Sequence, residues 1–511
     1  MRGARAGCGV RRRRWPRTLR SSACRSLRWV ASRGVRRLQD AGTLRVLYVL
    51  TTVGHRRVLV PQPAPQHADV APARGASSIS PLIGNYFVAA YPPFSCWTPE
   101  QGPEVDAALN APAPDAPVGI YAHVPFCERK CDYCYYLSRA GAKSDEVNAY
   151  LETVVAELAL YAPRPAMDGR KATYLYVGGG TPSTLSPDQI RFLLLGLKGS
   201  VAWGRDAEVT FEVAPKTARR AKLDALRECG VTRISMGVQS FDDALLRVNG
   251  RIHLAADVER AYGLIREQSF HWVNLDLMVG LVGETEESWR RSVDRAMDLA
   301  PDSVTIYQTE VPYNTKLYRD WKDDKLPSGL ISWEVKRERL DYAFGRLEAA
   351  GHTVASAYSA VRDPSRHLFR YQQHLWRGGD MIGLGASSFS YFGGVHYQND
   401  ARTDAYGASV RDGALPIYRA RGLSREERIV REFVLQLKWG RVDAAAFRRR
   451  FDVDLRHVFA EQLRGLEADG LLAAPTEGED PEVVLTREGL LRVDELIPRF
   501  YLPEHREARY W

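Results

Sequence analysis

The feature of this sequence that most constrains its fold is a regular alternation of strand-like and helix-like segments between residues 117 and 350. Short apolar runs rich in β-branched and aromatic residues predict strands, whereas longer amphipathic segments predict helices. The predicted strands are 118–124, 172–177, 208–213, 232–238, 272–280 and 303–309, and the helices that follow them are 145–162, 187–198, 218–229, 255–268, 285–299 and 332–350. Six such units predict a parallel sheet with right-handed crossovers, so we expect an α/β fold containing a partial (βα)6 TIM-like barrel.

After residue 423 the alternation stops. A hairpin is predicted in "LLAAPTEGEDPEVVLT", and helices are predicted at 425–438, 443–450, 456–469 and 487–498. We therefore expect the barrel and its extension over 117–420 and a mainly helical, winged-helix-like domain over 421–511. Because the segment "TEGEDPE" makes the predicted wing acidic, a structural cap on the barrel is favoured over DNA binding.

The first 75 residues differ sharply in charge from the rest of the chain. Residues 1–75 contain 17 basic and only 2 acidic side chains, which predicts a disordered leader; an organellar transit peptide and a translated upstream sequence are the alternatives. Residues 76–116 are expected to form an arm before the barrel. The rest of the chain carries 54 basic and 60 acidic side chains, so the net charge of +9 does not predict a nucleic-acid surface. No segment is long and apolar enough to predict a membrane span, and we expect a cytoplasmic protein with reduced thiols.

Three of the seven cysteines lie within eight residues, in "VPFCERKCDYC". A disulfide would leave one thiol over, and a structural zinc site would need a fourth ligand, for which His123 is the nearest alternative. Cys127, Cys131 and Cys134 fit a 4Fe–4S cluster better, because three thiolates leave one iron with an open position. The loop follows a strand end, which is where active sites of parallel barrels lie.

The spacing C-x3-C-x2-C after the first strand, with Tyr133 just before the third cysteine, resembles the radical S-adenosylmethionine (SAM) superfamily. "YVGGGTPSTL", "EVTFEVAP", "RISMGVQSFDD", "VNLDLMVGLVGETEESW" and "IGLGASSFS" follow in matching order. Together they resemble the branch of oxygen-independent coproporphyrinogen III oxidases, with its haem-chaperone and radical C-methyltransferase relatives. The resemblance implies that a reduced cluster cleaves SAM to a 5′-deoxyadenosyl radical, with electrons from a flavodoxin- or ferredoxin-type partner.

The resemblance also implies site residues. Those that contact the first SAM are Tyr121, Tyr133, Gly179, Gly180, Thr181, Glu212 and Phe389. Tyr121 and His123, which precede the cluster, are the candidate catalytic residues. Some of these residues have a structural alternative: a tight turn for the glycines, a surface carboxylate for Glu212 and a packed strand aromatic for Tyr121.

A second cofactor site is implied by Gln239, Arg251 and Asp276, which resemble residues that bind a second SAM in the decarboxylating oxidase. The alternative is a structural ion pair between Asp276 and Arg251, with Gln239 bonded to backbone. The position after the sixth strand falls at Thr309 or Glu310, and the sequence leaves that register open.

Three functions within the branch compete: a coproporphyrinogen-oxidase-like enzyme acting on a tetrapyrrole, a radical C-methyltransferase and a haem chaperone. "GNYFVAAYPPFSCW" (84–97) resembles an arm that closes over the oxidase site, although no Arg precedes its Tyr. The chaperone is weakened because "CDYCYY" and "FRYQQHLWRGG" depart from chaperone motifs, leaving His367 and His374 as solitary candidate haem ligands. The alternative from another functional class is a non-enzymatic binding domain held together by a structural zinc ion.

Overall fold

The computed structural model describes residues 90–367, 369–474, 482–506 and 508. The predicted leader, the first part of the arm and the tip of the predicted C-terminal hairpin lie outside these residues. The described chain forms one large twelve-stranded sheet with helices packed against it, and a helical domain follows.

The sheet contains the six predicted strands and six more. In chain order its strands are β1 Val118–Val124, β2 Ala172–Gly179, β3 Trp203–Val213, β4 Arg233–Gln239, β5 Trp272–Val279, β6 Ser303–Gln308, β7 Thr353–Ser356, β8 Ser359–Val361, β9 Asp380–Leu384, β10 Phe389–Phe392, β11 Val395–Asn399 and β12 Ile417–Gly422. Their spatial order is β12-β11-β10-β9-β1-β2-β3-β4-β5-β6-β8-β7. β9 and β1 to β6 are parallel, and the outer strands pair antiparallel.

Helices occupy the intervals between the strands, as the alternation predicts. They are α1 Gly102–Asn110, α2 Ser144–Tyr161, α3 Pro187–Ser200, α4 Arg220–Glu228, α5 Asp243–Val248, α6 Ala255–Glu267, α7 Glu286–Asp298, α8 Lys316–Lys322, α9 Trp333–Ala349, α10 Arg370–Trp376 and α11 Thr403–Arg411. Side-chain caps explain several starts: Ser186 and Gln189 form a reciprocal capping box on α3, which satisfies two otherwise unpaired backbone N–H groups.

The C-terminal domain is mainly helical, as predicted. Its helices are α12 Arg425–Leu437, α13 Ala444–Phe451, α14 Leu455–Val458, α15 Ala460–Ala468, α16 Arg487–Leu491 and α17 Val493–Leu496. The helix predicted at 456–469 is broken at Phe459, and the last predicted helix is divided at Arg492. An antiparallel bridge between Leu472 and Leu485 is the described part of the predicted hairpin.

The fold class predicted from the sequence is confirmed, and the structure adds a seventh parallel strand. β9 pairs with β1 on the side opposite β2, so the cysteine loop after β1 lies inside the parallel sheet rather than at its edge. The strands of this region are buried among the apolar faces of α2, α3, α6, α7 and α9. None of the helices in the described residues is long and apolar enough to cross a membrane.

Candidate active site

One cavity of about 650 Å3 lies at the carboxyl ends of the parallel strands and extends along the sheet. Every residue that the sequence predicts for the site lines it: Tyr121, His123, Cys127, Cys131, Tyr133, Cys134, Gly179, Gly180, Thr181, Glu212, Gln239, Arg251, Asp276 and Phe389. The structure therefore brings these residues together around one space, and their individual roles stay predictions.

The three cysteines occupy the loop that follows β1. The Cys134 N–H donates to the Cys131 carbonyl at 3.2 Å, which closes a tight turn. Thr181 Oγ1 donates to Cys127 Sγ at 3.4 Å, and Arg251 Nη1 donates to Cys131 Sγ at 3.3 Å. Such donors stabilise a thiolate. Burial acts in the opposite direction, because it raises the pKa of Cys127 and raises that of Cys134 to about 11.

The donor set fits an iron–sulfur cluster. Among the residues that the structure describes, no three His, Cys, Asp or Glu side chains converge closely enough to hold a single metal ion. A 4Fe–4S cluster does not need that convergence, since each of the three thiolates binds a different iron. Soft sulfur ligands on one cavity wall, two of them hydrogen-bonded by neighbouring side chains, match the chemistry of such a cluster.

The glycines after β2 let the backbone approach the cysteine loop. Gly179 has φ +115°, and a Cβ on it would lie 2.6 Å from the His123 ring. A Cβ on Gly180 would lie 2.8 Å from the Phe126 carbonyl oxygen and 3.0 Å from Cys127 Sγ. Both positions require a residue without a side chain. The tight turn expected as the structural alternative is thus also a close contact with the candidate cluster ligands.

Tyr121 and His123 form a hydrogen-bonded pair on β1. His123 Nε2 lies 3.1 Å from the Leu137 carbonyl oxygen, so it is the protonated nitrogen, and Nδ1 accepts from Tyr121 Oη at 3.1 Å. Burial lowers the pKa of His123 to about 4 despite the carbonyl contact. The imidazole is therefore neutral near pH 7, and a proton-transfer role would require breaking one of these bonds.

Glu212 is a partly buried, hydrogen-bonded carboxylate rather than the surface carboxylate of the structural alternative. Its Oε1 accepts from Tyr176 Oη at 2.6 Å, and its Oε2 accepts from the Gly179 N–H at 3.2 Å. Burial raises its pKa, opposed by these two hydrogen bonds. Glu212 thereby links β3 to the glycine loop, and it lines the cavity beside Tyr121, whose ring stacks on Tyr176.

The predicted second-cofactor residues are arranged differently from the ion pair considered as their alternative. Asp276 accepts from Asn274 Nδ2 at 2.8 Å and from Ser235 Oγ at 3.2 Å. Arg251 instead contacts Cys131 and donates from Nη2 to the Gly237 carbonyl at 2.7 Å. The structural Asp276–Arg251 pair is therefore wrong, since Arg251 lies against the cysteine loop.

Gln239 and Asp276 carry signs of a ligand site. Gln239 has φ +67°, an uncommon conformation for a residue with a side chain, and its Oε1 is buried without a hydrogen-bond partner. Burial raises the pKa of Asp276 to about 7, against the opposing charge of Arg233. An unpaired amide oxygen and a buried carboxylate on one cavity wall fit a polar ligand better than a finished core.

Aromatic residues close the remaining walls. Phe389 at the start of β10 stacks on Phe94 of the arm, with ring centroids 4.6 Å apart, and Trp97 meets it edge-on at 5.8 Å. Tyr133 packs against Leu245, Met278 and Leu281 in a small cluster. The arm therefore forms part of the cavity wall.

Sequence reasoning missed the part of this wall that lies toward the amino ends of β4 and β5. Arg233 and Ser235 on β4, and Trp272 and Asn274 on β5, all line the cavity. They lie two, four or six residues before Gln239 and Asp276, and side chains with that spacing share a face of a strand. The period-two alternation was the signal that would have found them.

The comparisons with known proteins identify the family of this chain. The radical SAM superfamily profile matches residues 121–296, and the HemN C-terminal domain profile matches 423–492. The anaerobic coproporphyrinogen III oxidase 1 of Cereibacter sphaeroides is 31% identical over 352 residues, which are 66% of this chain and 76% of that protein. The haem chaperone HemW of Bacillus subtilis is 28% identical over 384 residues, 74% of this chain and 98% of the chaperone. The solved structure of the radical SAM enzyme coproporphyrinogen III oxidase (HemN) from Escherichia coli matches with a TM-score of 0.70 and 26% identity, covering 81% of this chain and 96% of that one.

A parallel α/β sheet with three cysteines after its first strand and a glycine loop after its second defines a radical SAM protein, and this class uses a 4Fe–4S cluster and SAM. Within the class, the chain belongs to the HemN-like family, which contains oxygen-independent coproporphyrinogen III oxidases and HemW haem chaperones.

Proposed function

We propose that this protein is a radical SAM oxidoreductase that decarboxylates propionate side chains of a tetrapyrrole, as a coproporphyrinogen III oxidase does. One observation carries the proposal: the three cysteines, the carboxylates Glu212 and Asp276, and the arm all line one cavity. A recessed cavity limits the access of water and oxygen to a reactive species.

The bound cofactors supply reductive cleavage of a sulfonium and, from it, hydrogen abstraction. The chain itself positions them. Cys127, Cys131 and Cys134 are the proposed cluster ligands, and the N–H and O–H donors of Arg251 and Thr181 stabilise negative charge on two of the sulfurs. Glu212, held by Tyr176 and the Gly179 N–H, is the proposed acceptor for donor groups of the first SAM.

Two SAM molecules are part of the proposal. Gln239, Arg251 and Asp276 would hold the second, with Asp276 accepting from hydroxyl groups and Gln239 Oε1 accepting from a further donor. The support is the unpaired Oε1 of Gln239 and the unpaired Nε of Arg251, both buried at the cavity. An external flavodoxin- or ferredoxin-type protein is the proposed source of electrons.

The arm favours an oxidase over a haem chaperone. Ala90, Phe94 and Trp97 line the cavity ahead of the barrel, and Phe94 stacks on Phe389. Nearly the whole of the Bacillus subtilis chaperone, 98% of its length, is matched by this chain. The chaperone remains the second candidate because of that same similarity. His367 lines the cavity and would be its haem ligand, whereas His374 does not line the cavity and its Nε2 lies 2.7 Å from the Asp380 carbonyl oxygen.

The test is anaerobic incubation of the reconstituted protein with SAM, reductant and coproporphyrinogen III, followed by mass spectrometry. Loss of two carboxyl groups together with 5′-deoxyadenosine formation is expected. Haem binding without deoxyadenosine would identify a chaperone, and gain of a methyl group would identify a methyltransferase. A variant with all three cluster cysteines changed to Ala serves as the inactive control.

A further inference from the structure

The cavity contains a buried guanidinium with free hydrogen-bond donors. Arg233, the first residue of β4, is 3% exposed and lines the cavity. Its Cζ lies 4.5 Å from the ring centroid of Trp272 and 4.1 Å from that of Phe369. Nε and Nη1 are buried without a hydrogen-bond partner. A charged donor in this state costs free energy unless something else pairs with it.

The neighbouring carboxylates are not that partner. Glu208 accepts from Thr210 Oγ1 and from the Arg370 N–H, at 3.1 and 3.4 Å. Glu212 is occupied by Tyr176 and Gly179, and Asp276 by Ser235 and Asn274. Within the described residues, Arg233 forms no ion pair at 4.0 Å or less with any of them. The positive charge of Arg233 acts to lower the pKa of each of these carboxyl groups, but its Nε and Nη1 donate to none of them.

A second side chain with an unpaired nitrogen, His367, lies beside the Trp272 ring. His367 is 5% exposed, its ring centroid lies 5.4 Å from that of Trp272, and its Nδ1 has no hydrogen-bond partner. His367 also lines the cavity. Arg233 and Gln239 are the two ends of β4, about 20 Å apart at the usual rise of a strand, so these groups are distant from the cysteine loop.

We propose that Arg233, with His367 and the walls of Trp272 and Phe369, forms a carboxylate-binding site at the end of the cavity remote from the cysteines. A planar guanidinium presents parallel N–H donors that match a carboxylate. The rings of Trp272 and Phe369 are nearly perpendicular, at 86° with centroids 6.2 Å apart, so they flank the guanidinium on two adjacent sides and do not cover both of its faces. The inference rests on the proposed function for its ligand, because a tetrapyrrole propionate and the amino-acid carboxylate of SAM are the two carboxylates that such a cavity would receive.

The experiment measures binding rather than turnover. Coproporphyrin III, its tetramethyl ester and SAM are titrated in the same detergent buffer into anaerobically reconstituted wild type and Arg233→Gln. Loss of a charged hydrogen-bond pair should lower the affinity for the ligand whose carboxylate binds Arg233 by roughly tenfold to a hundredfold. The ester, which lacks carboxylates, should bind wild type and variant equally. Arg227→Gln, which removes a guanidinium over Phe270 outside the cavity, is the matched control.

The outcomes separate the two ligands. A selective loss of coproporphyrin III affinity identifies a propionate, and a selective loss of SAM affinity identifies the amino-acid carboxylate. Unchanged affinity for both in folded, cluster-loaded Arg233→Gln overturns the site. If that variant does not fold, Arg233→Lys keeps the charge but not the paired donors, and unchanged affinity for both ligands there overturns the site equally. The proposed function fails separately, when wild type binds coproporphyrin III yet does not decarboxylate coproporphyrinogen III.

Discussion

Replacing Asp276 with Asn tests whether this carboxylate holds a ligand or supports the fold. The side chain is partly buried at the cavity wall and accepts hydrogen bonds from Asn274 and Ser235. An asparagine has the same shape: its oxygen accepts from Asn274, and its amide donates to the hydroxyl of Ser235. We therefore expect Asp276→Asn to fold and to keep its iron, while it loses one of the two proposed SAM molecules.

The magnitude follows from the pKa of Asp276, which burial raises from 3.8 to about 7. The folded state then binds the proton more tightly than the unfolded chain does, so wild type loses stability as pH rises from about 4 to about 7. The shift corresponds to about 4 kcal/mol in total, of which about 2 kcal/mol falls between pH 5.5 and 8. Asparagine does not titrate, so the stability of the variant relative to wild type should rise by about that amount across this window.

The assay combines urea unfolding at pH 5.5 and 8 with equilibrium SAM binding. Glu432→Gln is the matched control, because burial raises the pKa of Glu432 to about 7 and this residue of α12 does not line the cavity. Both variants should gain stability relative to wild type as pH rises, but only Asp276→Asn should lose SAM. A relative stability that is independent of pH would refute the buried-carboxylate reasoning. Wild type that binds a single SAM would refute the second site.

Three further changes test the cysteine loop, the glycine loop beside it and a buried carboxylate of α2. Cys131→Ala should lower iron from about four per chain and abolish deoxyadenosine formation, and a variant with full iron would contradict the cluster assignment. Gly180→Ala should also lose iron, because its Cβ would meet backbone and Cys127 Sγ, whereas Gly199→Ala, with open space around it, should keep full iron. Glu157→Gln should gain about 2 kcal/mol of stability relative to wild type between pH 5.5 and 8, because burial raises the pKa of Glu157 to about 7 and glutamine does not titrate; a relative stability that is independent of pH would contradict this.

The strand–helix alternation and the cysteine spacing were readable from the sequence because both are local. A strand shows its period within a few residues, and the bounds of β1, β2 and β4 to β6 lie within two residues of those predicted. The rule that parallel strands present their carboxyl ends at one edge then placed the predicted residues around one cavity. Alternate residues of β4 and β5 share a face of the sheet, so the same pattern indicated Arg233 and Asn274, although the prediction did not use it.

Only the tertiary structure decided which groups meet. Arg251 contacts Cys131 across 120 residues of sequence, and not Asp276, because the path of the loop after α5 fixes the direction of its guanidinium. β9 joins β1 from more than 250 residues away, and the arm reaches Phe389 from the start of the described chain. Such contacts have no local period. They depend on how the whole sheet closes, and so does the isolation of Arg233 from the carboxylates around it.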